Sequence, residues 1–590
     1  MTRVGLAFIL YMCVANLQAQ QDPCYIYAYA AALGCSDGFC RAYIYSELAR
    51  CEAGEMTLPP APPAPPSPPT PCGQQRQARP GHPLDADPRT QSSSSVSPCI
   101  TFLDPVPDLV NSGGTDLVTA TATLAQKGTL ITGIATEGAA RALVRLYANA
   151  AGDRLILTLL SGDTLPVLNG LQQPLGTLKT IRPADRNQSG TTVTVTAVDT
   201  QVAGIMAFVT YIPPEDFSRG GFDDTSPSRT VKIQVRSSST TNSYTAPLTL
   251  WRPPVVLLHG LWGGPDDFQY FAFDPTATSP GSGVSIGQFW TQAKGYNDSI
   301  VVANALPIYD LGILATNAKL NDMGFTTTAP FVLEKIRETV NTFRAQRQAA
   351  GTQADIVGHS MGGLVARAAV NLPGYPDAYT FSKGAIHKIV TVGTPHLGSP
   401  LAYQLLLPSN QCTRSVIGAA GRLAFQTAQY QGQTASGAVG NLVVSSQALT
   451  DLASGGSGLT IRAAFLAGAT SISNLYTLDS ASVPRLLRAG IGCPNDPLPQ
   501  SFTSARWNSD LFGTAAIPVG VANDGVVSVT SQFNGLSSGY IGPGLIHSRG
   551  LETLGFSAPS ELDDPGISGQ VRLLLNAPRS GTNSVFFDVR

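Results

Sequence analysis

Charge is scarce in this 590-residue chain: Asp, Glu, Lys and Arg make up 13% of positions, where globular domains usually carry about 25%. The 37 basic and 39 acidic residues nearly cancel, leaving a net charge of −2. Neutralising a phosphate backbone needs clustered Lys and Arg, so no nucleic-acid partner is expected. No stretch is apolar for the ~18 or more residues that a membrane-spanning helix requires, and no transmembrane segment is expected either. Histidine is rare, with six in all, so each one can be weighed singly. What is abundant is apolar surface: 43% hydrophobic positions is too much for a disordered chain and enough for several packed cores.

The N-terminal hundred residues read as export and spacing. Met1-Thr2-Arg3 is a short basic start, Val4 to Ala15 is an apolar run, and small residues stand at Ala15 and Ala19. That is the pattern of a secretory signal peptide over 1–19, and the mature protein is expected to be secreted, or periplasmic in a bacterial host. Cys13 leaves with the signal, and the remaining eight cysteines form an even set, as disulfides in an exported chain require. Cys24, Cys35, Cys40 and Cys51 are spaced as in an antiparallel helical hairpin over 20–56, where facing positions share one index sum. This predicts the bridges Cys24–Cys51 and Cys35–Cys40, and chain proximity suggests Cys72–Cys99 and Cys412–Cys493. No histidine lies near the first four, and their spacing does not suit zinc. Residues 57–99, with nine prolines between Pro59 and Pro71, read as a stiff Pro/Ser-rich linker.

From about 100 to 250 the pattern turns β-like. Leu117–Thr123, Leu155–Leu159, Thr192–Thr196 and Val231–Val235 are short, mostly rich in β-branched residues and separated by turn residues. They predict a sandwich-like, all-β accessory domain carrying no recognisable chemistry, with bracing the preferred role over polymer or surface binding. After Trp251 the strands become continuous apolar runs, Val255–Leu258, Ile356-Val357 and Ile389–Val392. Between them 330–350 has helical spacing, with Val332, Ile336, Val340 and Phe343 on one face. Alternating strands and helices predict a mostly parallel sheet covered on both faces, so 251–590 is expected to be an α/β domain.

Chemistry concentrates in that last region. Gly358-His359-Ser360-Met361-Gly362 fits Gly-x-Ser-x-Gly, set between a strand and a helix, where glycines leave room for a sharp turn that exposes a nucleophilic serine. His259-Gly260-Leu261-Trp262-Gly263-Gly264 follows the first apolar strand. Its Leu261 N–H and that of Met361 are the expected donors to an oxyanion, with His259 shaping the loop. Together with Pro253–Gly260 and Thr394–Pro400, these stretches resemble the α/β-hydrolase superfamily, and within it secreted triacylglycerol lipases and esterases. The resemblance covers about 250–555.

It implies the chain order Ser, then Asp or Glu, then His. Of histidines 82, 259, 359, 387, 396 and 547, only His547 lies far beyond Ser360. Between the two there is no Glu, and the aspartates are 377, 451, 479, 496, 510 and 524. Asp524 fits best, because related lipases place their acid in a similar Asn-Asp-Gly turn; Asp510 is the alternative. Some bacterial relatives bind structural calcium through an Asp two residues after the base. Here Arg549 stands there, so neither a metal nor a cofactor is expected. The interval 400–515 is expected to be a cap. The run Ala378–Thr450 lacks acidic residues but holds Lys383, Lys388, Arg414 and Arg422, which would suit a fatty or anionic substrate. The expected activity is hydrolysis of carboxylic esters, with an ester or lipid substrate as the partner. Acyltransferase, polyester depolymerase and amidase share such a triad, and a non-catalytic surface protein could share the scaffold. Oligomeric state and acyl chain length are not legible.

Overall fold

Alternation of buried and exposed side chains organises residues 100–251. The computed structural model describes residues 100–590, except for several stretches of which the longest are 163–173, 269–299, 303–323, 407–436 and 471–521. The signal segment 1–19, the hairpin 20–56, the linker 57–99 and all four proposed disulfides therefore lie outside the described residues.

In Ser228–Ser237, Val231, Ile233 and Val235 point inward while their neighbours face outward, the period-two pattern of a half-buried strand. This strand lies in a six-stranded sheet with Arg154–Ser161, Thr192–Thr196, Ser243–Trp251, Gly133–Ala135 and Ala349–Ala350. A second sheet contains Ile100–Asp104, Ala142–Tyr147, Ile205–Ile212 and Thr177–Thr180. The two sheets bury one shared core, in which Val144, Leu146, Val209 and Tyr211 of one meet Leu157, Val195, Ile233 and Leu248 of the other. The strand expected over Leu117–Thr123 is corrected. Thr121–Gln126 is a short helix burying Leu124 and Ala125, because its alanines and leucine favour helix and its threonines mimicked a strand's alternation.

Residues from 255 onward build a second layer system. Its strands are β1 (Val255–Leu258), β2 (Ile300–Val302), β3 (Ala354–His359), β4 (Ile386–Val392), β5 (Ile461–Ala469), β6 (Tyr540–Pro543) and β7 (Phe587–Val589). The sheet order is β2-β1-β3-β4-β5-β6, all parallel, with β7 antiparallel to β5. Every residue of β1, β3 and β4 is buried, as expected when helices cover both faces. Val256, Leu258, Ile356 and Ile389 pack toward helices α1 (Phe325–Arg347) and α2 (Met361–Val370). Val255, Leu257, Val357 and Val390 pack toward α3 (Pro565–Asn576). Helix α1 begins at Phe325, five residues before the expected Pro330, with Thr328 Oγ1 donating to the carbonyl of Gly324 at 2.9 Å.

The stretch 400–515 is not one continuous cap. It contains β5, in the middle of the sheet, and its described helices Pro400–Leu406, Ala438–Asn441 and Gln447–Ser454 bury Leu401, Leu405, Val439, Leu449 and Leu452 in the core. Lys388 is likewise no part of a cap. Its ammonium, on β4, donates to the carbonyls of Leu575 and Ala577 at 2.8 and 3.0 Å, placing a cation at the negative end of α3.

The two layer systems are joined within one unit, Pro65–Arg590. Beyond α1 the chain pairs Ala349–Ala350 with Gly133–Ile134 before entering β3. Arg344 on α1 meets Asp104 at 2.7 Å. Glu137 accepts the N–H groups of Thr352 and Gln353 at 2.6 and 2.9 Å. The β region therefore holds both sides of the crossover that leads to Ser360.

Candidate active site

Ser360 sits at the C-terminal end of β3, immediately before α2, with φ 53° and ψ −130°. A non-glycine residue in that conformation stores about 1–3 kcal/mol of strain, and the surrounding packing enforces it. A Cβ on Gly358 would lie 2.6 Å from the nitrogen of Gly363, and one on Gly362 would lie 2.4 Å from the carbonyl oxygen of Leu258. Only glycine allows the turn to close this tightly against β1. The Ser360 N–H donates to Val392 at the end of β4 (2.9 Å), fixing the elbow to the next strand.

The structure brings His547 and Asp524 to this serine. His547 Nε2 is 2.8 Å from Ser360 Oγ, and His547 Nδ1 is 2.7 Å from Asp524 Oδ2. Ionised Asp524 can only accept, so Nδ1 carries the proton and Nε2 is free to accept from the serine hydroxyl. Asp524 is fully buried. Its Oδ1 accepts the N–H groups of Val526 and Val527 at 2.8 and 2.6 Å, and Oδ2 also accepts from Gln532 Nε2 at 3.0 Å. The Asn-Asp-Gly sequence explains this local shape. Gly525 takes φ 91°, and Asn523 Oδ1 accepts the Gly525 N–H at 2.9 Å. Thr470, just beyond β5, ties the turn down by donating its N–H to the carbonyl of Asn523 (2.7 Å). The backbone N–H of His547 donates to the carbonyl of Asp524 (2.9 Å), so the two residues are connected through main chain as well as side chain. Asp510, the alternative acid, lies outside the described residues.

Met361 is the first residue of α2 and is buried, while Leu261 is half-buried in the loop after β1 and packs on the core. Neither main-chain N–H has a hydrogen-bond acceptor among the described residues. His259 Nδ1 lies 3.0 Å from the carbonyl of Gly260, a contact that shapes the loop. Arg549 makes an ion pair with Asp563, its Nε 2.7 Å from Oδ2.

Two further histidines are structural in their contacts. His396 Nδ1 lies 2.9 Å from Arg367 Nη1, and its Nε2 lies 3.1 Å from Thr391 Oγ1. Because guanidinium only donates, His396 is neutral with its proton on Nε2, and burial holds it well below the ordinary imidazole range, with Arg367 adding to the effect. His359 packs against His547 with ring centroids 5.0 Å apart and the planes tilted by 31°. Burial depresses its basicity strongly too, and the neighbouring His547 lowers it further.

Gln532 and Glu561 went unnoticed in the sequence. Gln532, wholly buried, donates to Asp524, Val527 and Gly468. Glu561, also wholly buried, lies beside His359 and His547. A neutral amide in a short helix and an acid at a helix start both resemble ordinary surface positions, so no local signal marks them.

A PGAP1-like alpha/beta domain matches residues 316–414. Among solved structures, the chain is similar to the Bacillus licheniformis lipase BlEst2 in mature form, at 17% identity over 55% of this chain and 91% of that one, with a TM-score of 0.28. It is similar to Staphylococcus hyicus lipase at 12% identity over 55% and 95%, TM-score 0.30. A third is the peroxisomal alpha-beta-hydrolase Lpx1 from Saccharomyces cerevisiae, at 12% identity over 60% and 84%, TM-score 0.25. No curated protein matches the sequence. Strand order, the strained serine between β3 and α2, and the matched PGAP1-like alpha/beta domain give the C-terminal region the architecture of an α/β-hydrolase fold.

Proposed function

We propose that this protein is an exported serine hydrolase that cleaves carboxylic esters, with lipids as the favoured substrate class. The observation that carries the reading is the unbroken hydrogen-bond line from Ser360 through His547 to Asp524, at 2.8 and 2.7 Å, beneath a serine held in a strained turn. His547 removes the Ser360 proton as Oγ attacks the ester carbonyl, and Asp524 holds the imidazole in the required tautomer. The N–H groups of Leu261 and Met361 receive the oxyanion, a contribution worth roughly 3–4 kcal/mol per donor when such donors are removed. His547 then protonates the leaving alcohol, and water releases the acid from the acyl-enzyme. The β region braces the crossover into β3, and the N-terminal segment directs export.

Hydrolysis of p-nitrophenyl esters from acetate to palmitate tests this, with Ser360→Ala and His547→Ala as partners. Both variants should lose activity by about 10⁴-fold or more, and the preferred chain length separates esterase from lipase. A folded wild-type protein inert on every ester would exclude the assignment and move weight to transfer or amide chemistry at the same serine.

A further inference from the structure

Glu561 stands where a second negative charge would be hardest to tolerate. It opens the turn Glu561–Asp563, and its N–H donates to the carbonyl of Ile546, the residue before His547 (2.9 Å). The side chain is fully buried. Oε1 accepts the Gly468 N–H at 2.8 Å, whereas Oε2 accepts no hydrogen bond among the described residues. That second oxygen is 3.7 Å from His547 Nδ1 and 3.5 Å from His359 Nε2. Neither histidine supplies it with a proton. His547 Nδ1 donates to Asp524, and His359 Nε2 faces the carbonyl of His547 at 3.1 Å. The Glu561 and Asp524 carboxyls instead converge on one nitrogen, with Glu561 Oε2 at 3.7 Å and Asp524 Oδ2 at 2.7 Å from His547 Nδ1.

Two ionised carboxylates facing one nitrogen, both removed from water, repel each other, so one keeps a proton. The hydrogen-bond inventory decides which. Asp524 receives four donors, from Val526, Val527, Gln532 and His547, and Glu561 receives one. Donors stabilise the ionised form, so the charge belongs on Asp524 and the proton on Glu561. We infer that Glu561 is a positioning residue, a neutral carboxylic acid whose O–H donates to Asp524 and fixes that carboxylate against His547. Burial, and then the adjacent Asp524 charge, push the Glu561 carboxyl well above its ordinary range, with the Gly468 N–H opposing.

The inference rests on the Ser360–His547–Asp524 reading and adds a residue that acts on those three only through Asp524. A proton donated to Asp524 drains some of the charge that faces His547 Nδ1, so removing that donor would tighten the hold of Asp524 on a protonated imidazole. The titratable groups facing Glu561 are Asp524, His547 and His359. Its own turn adds Asp563, paired with Arg549, and the turn Pro265–Phe268 packed against it carries Asp267.

The test uses the full chain with E561Q and E561A. The amide of E561Q still presents a donor to Asp524, so kcat should stay within about threefold of wild type and the acid limb of kcat/KM should not move. E561A removes the donor, and kcat should fall by about 10-fold or more at little-changed KM, with the acid limb moving to higher pH. Infrared difference spectra of wild type against E561Q in mildly alkaline buffer should show the carbonyl stretch of a protonated acid in wild type only. Absence of that band, or an acid limb shifted downward in E561Q as a lost negative charge would produce, overturns the inference, as does an E561A protein with the wild-type profile. The infrared readout needs no turnover, so an inert wild type would refute the triad reading while leaving the state of Glu561 measurable.

Discussion

Glu137 couples the stability of this protein to pH through the seam between its two layer systems. The carboxyl is buried and accepts from the Thr352 N–H, the Thr352 hydroxyl and the Gln353 N–H, directly before β3. Burial raises it from 4.5 to about 7, against the opposing pull of those three donors. The folded chain therefore binds this proton more tightly than the unfolded chain. Its contribution to stability is fully present below pH 4.5 and is lost as pH rises toward 7. At 1.36 kcal/mol per unit, the loss amounts to about 3 kcal/mol.

Other buried groups contribute to the whole-protein curve. Burial also raises Glu561, Asp104 and Asp216, giving the same sign. His359 and His396 are depressed, so their contributions are present at high pH and lost as pH falls. Glu137→Gln isolates one term, because the amide does not titrate. Urea unfolding of both proteins should be followed at a series of pH values from about 4 to 8, the range spanned by the two states of this carboxyl. The stability of wild type relative to the variant should decline by about 3 kcal/mol across the interval and level off above it. A difference that stays flat across the interval refutes the linkage and means that Glu137 is ionised throughout.

Two further substitutions probe the elbow and the far side of the sheet. Gly362→Ala would put a Cβ 2.4 Å from the Leu258 oxygen and 2.8 Å from that of His259; under the proposed function, p-nitrophenyl ester hydrolysis should drop by about 10²-fold as the serine is displaced, with the circular dichroism spectrum unchanged. Lys388→Met would leave the carbonyls at the end of α3 without their cation; the urea midpoint should fall by the equivalent of about 1–3 kcal/mol, while kcat/KM on a short ester stays at the wild-type value.

How far the sequence could be read depended on how strongly each residue type was constrained. Val255–Leu258 and Ile389–Val392 were legible because strands buried on both faces need uninterrupted apolar runs. The meeting of Ser360, His547 and Asp524 was legible because histidine is rare and the Asn-Asp-Gly turn has few alternatives. Strand β5 was hidden, since Arg462-Ala463-Ala464-Phe465-Leu466-Ala467 has a helix former's composition and becomes a strand only through its partners β4 and β6. The two-residue pairing of Ala349–Ala350 with Gly133–Ile134 was too short to carry any periodicity.

Glu561 was missed for a different reason. The chain order Ser, Asp, His places one carboxylate between Ser360 and His547, and a single carboxylate suffices to orient an imidazole. A second acid on the far side of His547 has no such place in the chain order, and Ser560-Glu561-Leu562-Asp563-Asp564-Pro565 reads as a helix start, where acids are favoured by the dipole. Asp564 does cap α3, accepting the Ile567 N–H at 2.8 Å. Glu561, three residues earlier, is turned inward instead, because its N–H is committed to Ile546 and its Oε1 to Gly468. Two main-chain contacts thus convert a residue with a surface-like sequence context into a buried acid beside His547. Such a conversion arises from tertiary contacts, which is why the neighbourhood of His547 had to be seen folded before its second carboxyl could be recognised.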